Sequence, residues 1–174
     1  MLDRRILKAP GASDGDPVLV LLHGRGSDMN DLQGLAPSLP PSVTLVTPRA
    51  LHPGAPWGYG PGWAWYRYLG DDRVDGESLT RSLEALSGFV EDIPGVVGFE
   101  PGPLILGGFS QGGTTSLTFA VAYPGRVDGV VVLSGFLPTQ ETLDRGPEGL
   151  GTTPVFWGHG TVDPAVPHDL AVRG

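Results

Sequence analysis

Residues 103–113 read PLILGGFSQGG. A short apolar run ends at Gly108, Ser110 follows two residues later, and Gly112 two residues after that. Gly108-Phe109-Ser110-Gln111-Gly112 is therefore a G-x-S-x-G pattern, set between a strand-like run and a helix-like one (about 111–123, stopped by Pro124). That context is what a nucleophile elbow requires. The chain must turn so sharply that the serine backbone is strained and its Oγ stands above the sheet edge. The residues two before and two after must be small, so that strand and helix can approach each other. The first peptide N–H groups of the helix then face the site and favour a developing oxyanion. Ser110 is the candidate nucleophile.

Outward from this turn, apolar runs alternate with amphipathic segments. Residues 3–9 form a short candidate edge strand. Residues 18–22 (VLVLL) are continuously apolar and closed by His23-Gly24, as suits a strand buried on both faces of a parallel sheet. A short helix is expected over 28–36, with Asp28 as N-cap, and a strand over 43–47 closed by Pro48. Residues 49–76 carry no clear periodicity but hold Trp57, Tyr59, Trp63, Trp65, Tyr66 and Tyr68. A loop of that length in a small domain is a functional candidate. Leu79, Leu83, Leu86, Val90 and Ile93 recur at helical spacing, with Asp75 or Ser78 near the start and Pro94-Gly95 as the stop. Two further strands are expected over 127–133 and 154–157. Strands alternating with helices imply parallel pairing through right-handed crossovers, and hence a single α/β domain over 1–174.

Composition limits the function classes. Asp and Glu outnumber Lys and Arg by 19 to 11, for a formal net charge of −8. The only lysine is Lys8, and the arginines are scattered. Nucleic acid and anionic membrane surfaces both demand basic patches, so neither is expected as a partner. The chain has no Cys, which removes thiol chemistry, disulfides and thiolate metal sites. No apolar run approaches the ~20 residues of a membrane span, and no signal-like apolar segment follows Met1, so a cytoplasmic protein without integral membrane association is expected. The 28 Gly and 18 Pro lie between apolar runs and read as tight turns.

Two further segments bear on acyl chemistry. A tetrahedral intermediate needs two backbone N–H donors aimed at its oxygen. One comes from the residue after the nucleophile, here Gln111. The other comes from the loop after an early strand, and in Leu21-Leu22-His23-Gly24-Arg25-Gly26 the N–H of Arg25 is the candidate. The alternative is an ordinary glycine turn with a structural His23. The third segment is HGTVDPAVP (159–167), just past the strand over 154–157. Triad order in such folds is serine, acid, histidine, and Asp163 suits the acid that orients a base. His159 beside it reads as structural.

Taken together, LLHGRGSDMNDL (21–32), WAWY (63–66), GGFSQGG (107–113) and HGTVDPAVP (159–167) resemble the phospholipase/carboxylesterase family of α/β-hydrolases, the acyl-protein thioesterase-like serine esterases. The resemblance runs from about residue 17 onward. It implies the α/β-hydrolase fold: a mostly parallel central sheet with helices on both faces. It also implies a small-molecule ester substrate, with hydrolysis of short- to medium-chain acyl esters or thioesters through a Ser110 acyl-enzyme. No cofactor and no metal are implied. By position it implies Ser110 and Asp163 as catalytic residues, the backbone of Arg25 and Gln111 as oxyanion hole, and Trp63 and Trp65 on a loop near the acyl pocket.

The general base is the difficulty, since a serine without one is a poor nucleophile at neutral pH. Relatives place the triad histidine one helix and one strand beyond the acid. Only eleven residues follow Asp163 here, so the last strand, the last helix and the usual base are expected to be absent. His168 is the one histidine after the acid and a lesser candidate for a substitute; a truncated chain, or a base donated by another chain, is favoured over it. An open sheet edge around Val155 and Phe156 is expected in consequence, covered by a homo-oligomer or an element swap. The competing reading is a base-less relative that binds or scaffolds without catalysis.

Overall fold

The computed structural model describes residues 1–70, 73–139 and 147–173. Its centre is a six-stranded sheet. β1 (Arg4–Leu7) pairs antiparallel with β3 (Thr44–Pro48). β2 (Val18–Leu22), β8 (Leu104–Phe109), β9 (Gly129–Leu133) and β10 (Val155–Gly158) continue it in parallel, in the order β1-β3-β2-β8-β9-β10. Every residue of β3 and all but one of β2 are buried, whereas three of four β1 residues are exposed. Continuous apolar runs thus mark the middle of the sheet, where both faces are covered.

Between β3 and the first long helix the chain makes four very short strands in two hairpin-like pairs. β4 (His52–Pro53) pairs with β5 (Trp63–Ala64), and β6 (Tyr68–Gly70) with β7 (Arg73–Val74). Then follow α1 (Gly76–Glu91), α2 (Ile93–Val97), α3 (Gln111–Ala122) after β8, and α4 (His168–Arg173) after β10. α1 begins where the side chain of Asp75 accepts a hydrogen bond from the N–H of Ser78, an N-cap. Its buried stripe is Leu79, Leu83, Leu86, Phe89 and Val90. α3 is buried from Gln111 to Val121. It lies against β2, β8 and β9 on one side and meets α1 on another, so it has no solvent face to pattern.

Two local expectations need correction. The segment expected as a helix from Asp28 is a 3-10 stretch over Asp31–Ser38, with Asn30 before it and no side-chain cap. Asp28 instead accepts from the N–H of Asn30 (2.8 Å), a local turn that competes with helix entry, and Pro37 inside the stretch removes a donor. Pro94 does not stop the helical region either. It lies in the first turn of α2, where a missing N–H costs nothing.

At the crossing of β2, β8 and α3 the backbones approach without room for side chains. A Cβ on Gly108 would meet the backbone of Gly112, and one on Gly112 would meet the carbonyl of Leu22. These contacts bring α3 hard against the C-terminal ends of the two central strands. Ser110 is left at the apex between strand and helix.

Candidate active site

Ser110 has φ 52° and ψ −116°, in a region that residues with a Cβ adopt at a cost. The strain is held from both sides. The Ser110 N–H donates to Leu133 O at 2.7 Å, and its carbonyl accepts from Thr114 N at 3.0 Å. The only other non-glycine residue with positive φ among those described is Ser134 (φ 52°), one residue past β9.

The residue after Ser110 ties the surrounding segments together through its side chain. The buried Gln111 side chain accepts from Trp65 N at 2.8 Å through Oε1 and donates to Tyr66 O at 2.7 Å through Nε2. Trp65 in turn donates from Nε1 to His23 O at 3.0 Å. The elbow, the aromatic segment and the loop after β2 are thereby tied into one network. The Arg25 loop is fixed further by Gly26 N to Trp63 O and Trp63 N to Ser27 O, both 2.8 Å. The side chain of His23 is fully buried, with Nδ1 donating to Gly24 O (2.7 Å) and Nε2 accepting from Ala50 N (3.0 Å). Those two bonds fix the neutral tautomer. Burial holds the imidazole pKa below its ordinary value.

Arg25, Tyr66, Tyr68, Ser110, Gln111 and Phe136 line a cavity of about 60 Å³ together with Ala165, Val166 and Leu170. Among the described residues, the backbone N–H groups of Arg25 and Gln111 donate no hydrogen bond. Neither Trp63 nor Trp65 lines this cavity. Trp65 is wholly buried in the core, and Trp63 lies beneath Arg49, whose guanidinium is 3.8 Å from the ring centroid. The residues of the aromatic segment that reach the cavity are Tyr66 and Tyr68, because the clamp on the backbone at 65 and 66 turns the Trp65 ring toward His23. Burial pushes the Tyr66 phenol well above its ordinary range, so it stays a neutral hydroxyl, hydrogen-bonded with Thr114.

Asp163 lies on the turn after β10. Its Oδ1 accepts from Ala165 N (2.9 Å) and Val166 N (3.0 Å), and these bonds, with a smaller contribution from the Ser134 hydroxyl, hold the carboxyl below the usual range. The two residues that bind Asp163 thus line the same cavity as Ser110. His159 Nε2 donates to Val166 O at 2.8 Å and lies 3.8 Å from Asp163 Oδ2. The His168 ring packs edge-on against His159, with centroids 5.9 Å apart, and His52 bonds Ser78 O. Among the described residues no histidine hydrogen-bonds Ser110. Sequence reasoning missed the Gln111 side chain, Tyr68 and Ser134. For Ser134 the sequence holds no signal, since positive φ on a serine follows only from its packing.

The His23 arrangement has a pH consequence. A buried imidazole with a lowered pKa takes up its proton on unfolding, so the unfolded chain binds more protons below its ordinary pKa of about 6.5. The stability that neutral His23 contributes is complete above that pH and is lost as pH falls toward the folded-state value. Thermal melts from about pH 7 to about pH 5 should show this loss in the native chain. His23→Asn should melt lower throughout, by roughly 1–3 kcal/mol for the lost buried bonds, and lack that part of the slope. Equal slopes in both proteins would contradict the neutral-tautomer geometry.

The chain is similar in sequence and in fold to known proteins. Residues 9–173 match the phospholipase/carboxylesterase family. Acyl-protein thioesterase 1 of Kluyveromyces lactis is 33% identical over 171 residues, which cover 91% of this chain and 75% of that protein. Acyl-protein thioesterase 1 of Saccharomyces cerevisiae is 35% identical over 116 residues, 63% of this chain and half of that protein's length. The solved structure of esterase PE8 superposes with a TM-score of 0.75 at 30% identity, covering 99% of this chain and 80% of that one. The carboxylesterase of Bacillus cereus shares the fold with a TM-score of 0.80 at 23% identity, covering 99% and 77%. With its α/β-hydrolase fold and its elbow at Ser110, this chain belongs to the phospholipase/carboxylesterase family.

Proposed function

We propose that the cavity at Ser110 is the acyl-transfer site of a serine carboxylesterase, a single α/β-hydrolase domain that cleaves short- to medium-chain acyl esters, thioesters included. The observation that carries this reading is the strained Ser110 in one cavity with two residues, Arg25 and Gln111, whose backbone N–H groups are unengaged. Ser110 Oγ adds to the substrate carbonyl carbon, and the carbonyl oxygen takes its negative charge between those N–H donors. Collapse of the tetrahedral species expels the alkoxide or thiolate, which leaves with a proton. Water then adds to the acyl-serine, releasing the acid and regenerating the hydroxyl.

In this reading Asp163 orients an imidazole supplied by another chain, which takes the Ser110 proton and returns it to the leaving group. Its Oδ1 is engaged by two backbone N–H groups, which leaves Oδ2 to accept an imidazole N–H. His168, a lesser candidate for the base in the sequence, has its ring against His159, and we assign the base to none of the described histidines. The substrate is a small ester, and the cytoplasmic setting belongs to the same proposal. We further assign the open edge of the sheet at β10, where Phe156 is 63% exposed, to pairing with a second copy of the chain. Size-exclusion chromatography with light scattering should give a dimer or larger species, and a monodisperse monomer would contradict the pairing.

Fluorophosphonate labelling with peptide mapping tests the nucleophile. One adduct is expected, on Ser110. Turnover of p-nitrophenyl butyrate should rise when free imidazole is supplied, and Ser110→Ala should lose at least about a hundredfold of that turnover. An adduct on another residue, or equal turnover in Ser110→Ala, would refute the assignment.

A further inference from the structure

Among the described residues, Arg25 is the one charged residue lining the Ser110 cavity; the others are Tyr66, Tyr68, Phe136, Ser110, Gln111 and aliphatics. Its guanidinium is held in a defined place. The Cζ lies 4.8 Å from the centroid of the Tyr59 ring and 5.9 Å from that of Tyr68. The Tyr59 ring is itself fixed, since its hydroxyl accepts from the backbone N–H of Tyr68 at 2.8 Å. Contacts with ring faces restrict the guanidinium plane but leave its edge N–H groups unspent. Among the described residues the Arg25 side chain has no ion pair and no hydrogen bond. Arg25 is exposed, as are several other basic residues without an ion pair among those described; what sets it apart is its place at the Ser110 cavity between two tyrosine rings.

We infer that Arg25 forms an anion subsite beside Ser110, and that the preferred substrates are esters carrying a terminal carboxylate on the acyl chain. The inference rests on the acyl-hydrolase reading of this cavity and specifies its substrate class. One residue then supplies two contacts: its backbone N–H faces the carbonyl oxygen and its guanidinium takes the carboxylate. The span between them selects chain length. A guanidinium presents a planar pair of N–H donors that a carboxylate meets with two parallel bonds. The phenol of Tyr66 stays neutral and adds no repelling charge, and among the described residues no carboxylate lines the cavity.

The test separates recognition from chemistry. In the Ser110→Ala protein, which cannot be acylated, binding of monomethyl adipate and of dimethyl adipate is followed by tyrosine and tryptophan fluorescence. The monoanion should bind roughly tenfold more tightly than the diester. That preference should shrink with added salt, fall to near unity in Ser110→Ala/Arg25→Gln, and be partly kept in Ser110→Ala/Arg25→Lys. Equal binding of the two esters, or a preference that survives Arg25→Gln, overturns the inference. If the double variant does not fold, the salt dependence of the preference in Ser110→Ala decides alone. Turnover of p-nitrophenyl butyrate by the native chain is the independent arm. Its absence would count against the hydrolase reading, and the adipate ratio still reports on the subsite.

Discussion

The positive φ of Ser110 is the constraint around which the site is arranged. A strained serine persists only when its surroundings over-determine it. Here those surroundings are the backbone contacts of Gly108 and Gly112, the bond from Ser110 N to Leu133, and the start of a helix buried from its first residue. The same crossing that bends the chain at Ser110 leaves the N–H of Gln111 without a partner. Strain and the unengaged donor are two results of one packing decision.

The Gln111 side chain carries that constraint outward. By bonding Trp65 N and Tyr66 O it fixes the aromatic segment, and Trp65 fixes the loop of Arg25 through His23 O. Three stretches that are far apart in sequence are thus placed relative to one another by directed hydrogen bonds among fully buried groups. Such bonds are modest in net energy but costly to leave unmade. Catalysis that relies on fixed dipoles needs this kind of rigidity, because donors that must reorganise stabilise an oxyanion less.

Much of the fold was legible in the sequence where one physical rule acts alone. The continuous apolar runs at 18–22 and 104–108 had to be central parallel strands, and the helical spacing from Leu79 to Ile93 had to present one buried stripe. The glycines around Ser110 had to mark a close approach. Reading failed where competing interactions decide. Asp28 has the chemistry of an N-cap and spends it on Asn30. The tryptophans of the aromatic segment have the bulk to wall a pocket, yet their backbone bonds turn the Trp65 ring into the core and leave Tyr66 and Tyr68 at the cavity. Side-chain direction in a loop without periodicity follows from tertiary hydrogen bonds, which no local pattern encodes.

The central claim is that Ser110 and the N–H groups of Arg25 and Gln111 converge on one reacting carbonyl. A crystal structure of the protein bearing a phosphonate on Ser110 Oγ tests it most directly. The account predicts a phosphonyl oxygen within ordinary hydrogen-bond distance, about 2.7–3.1 Å, of both backbone nitrogens. An adduct whose oxygens point to solvent, or an Arg25 loop with its N–H bonded elsewhere, would contradict it.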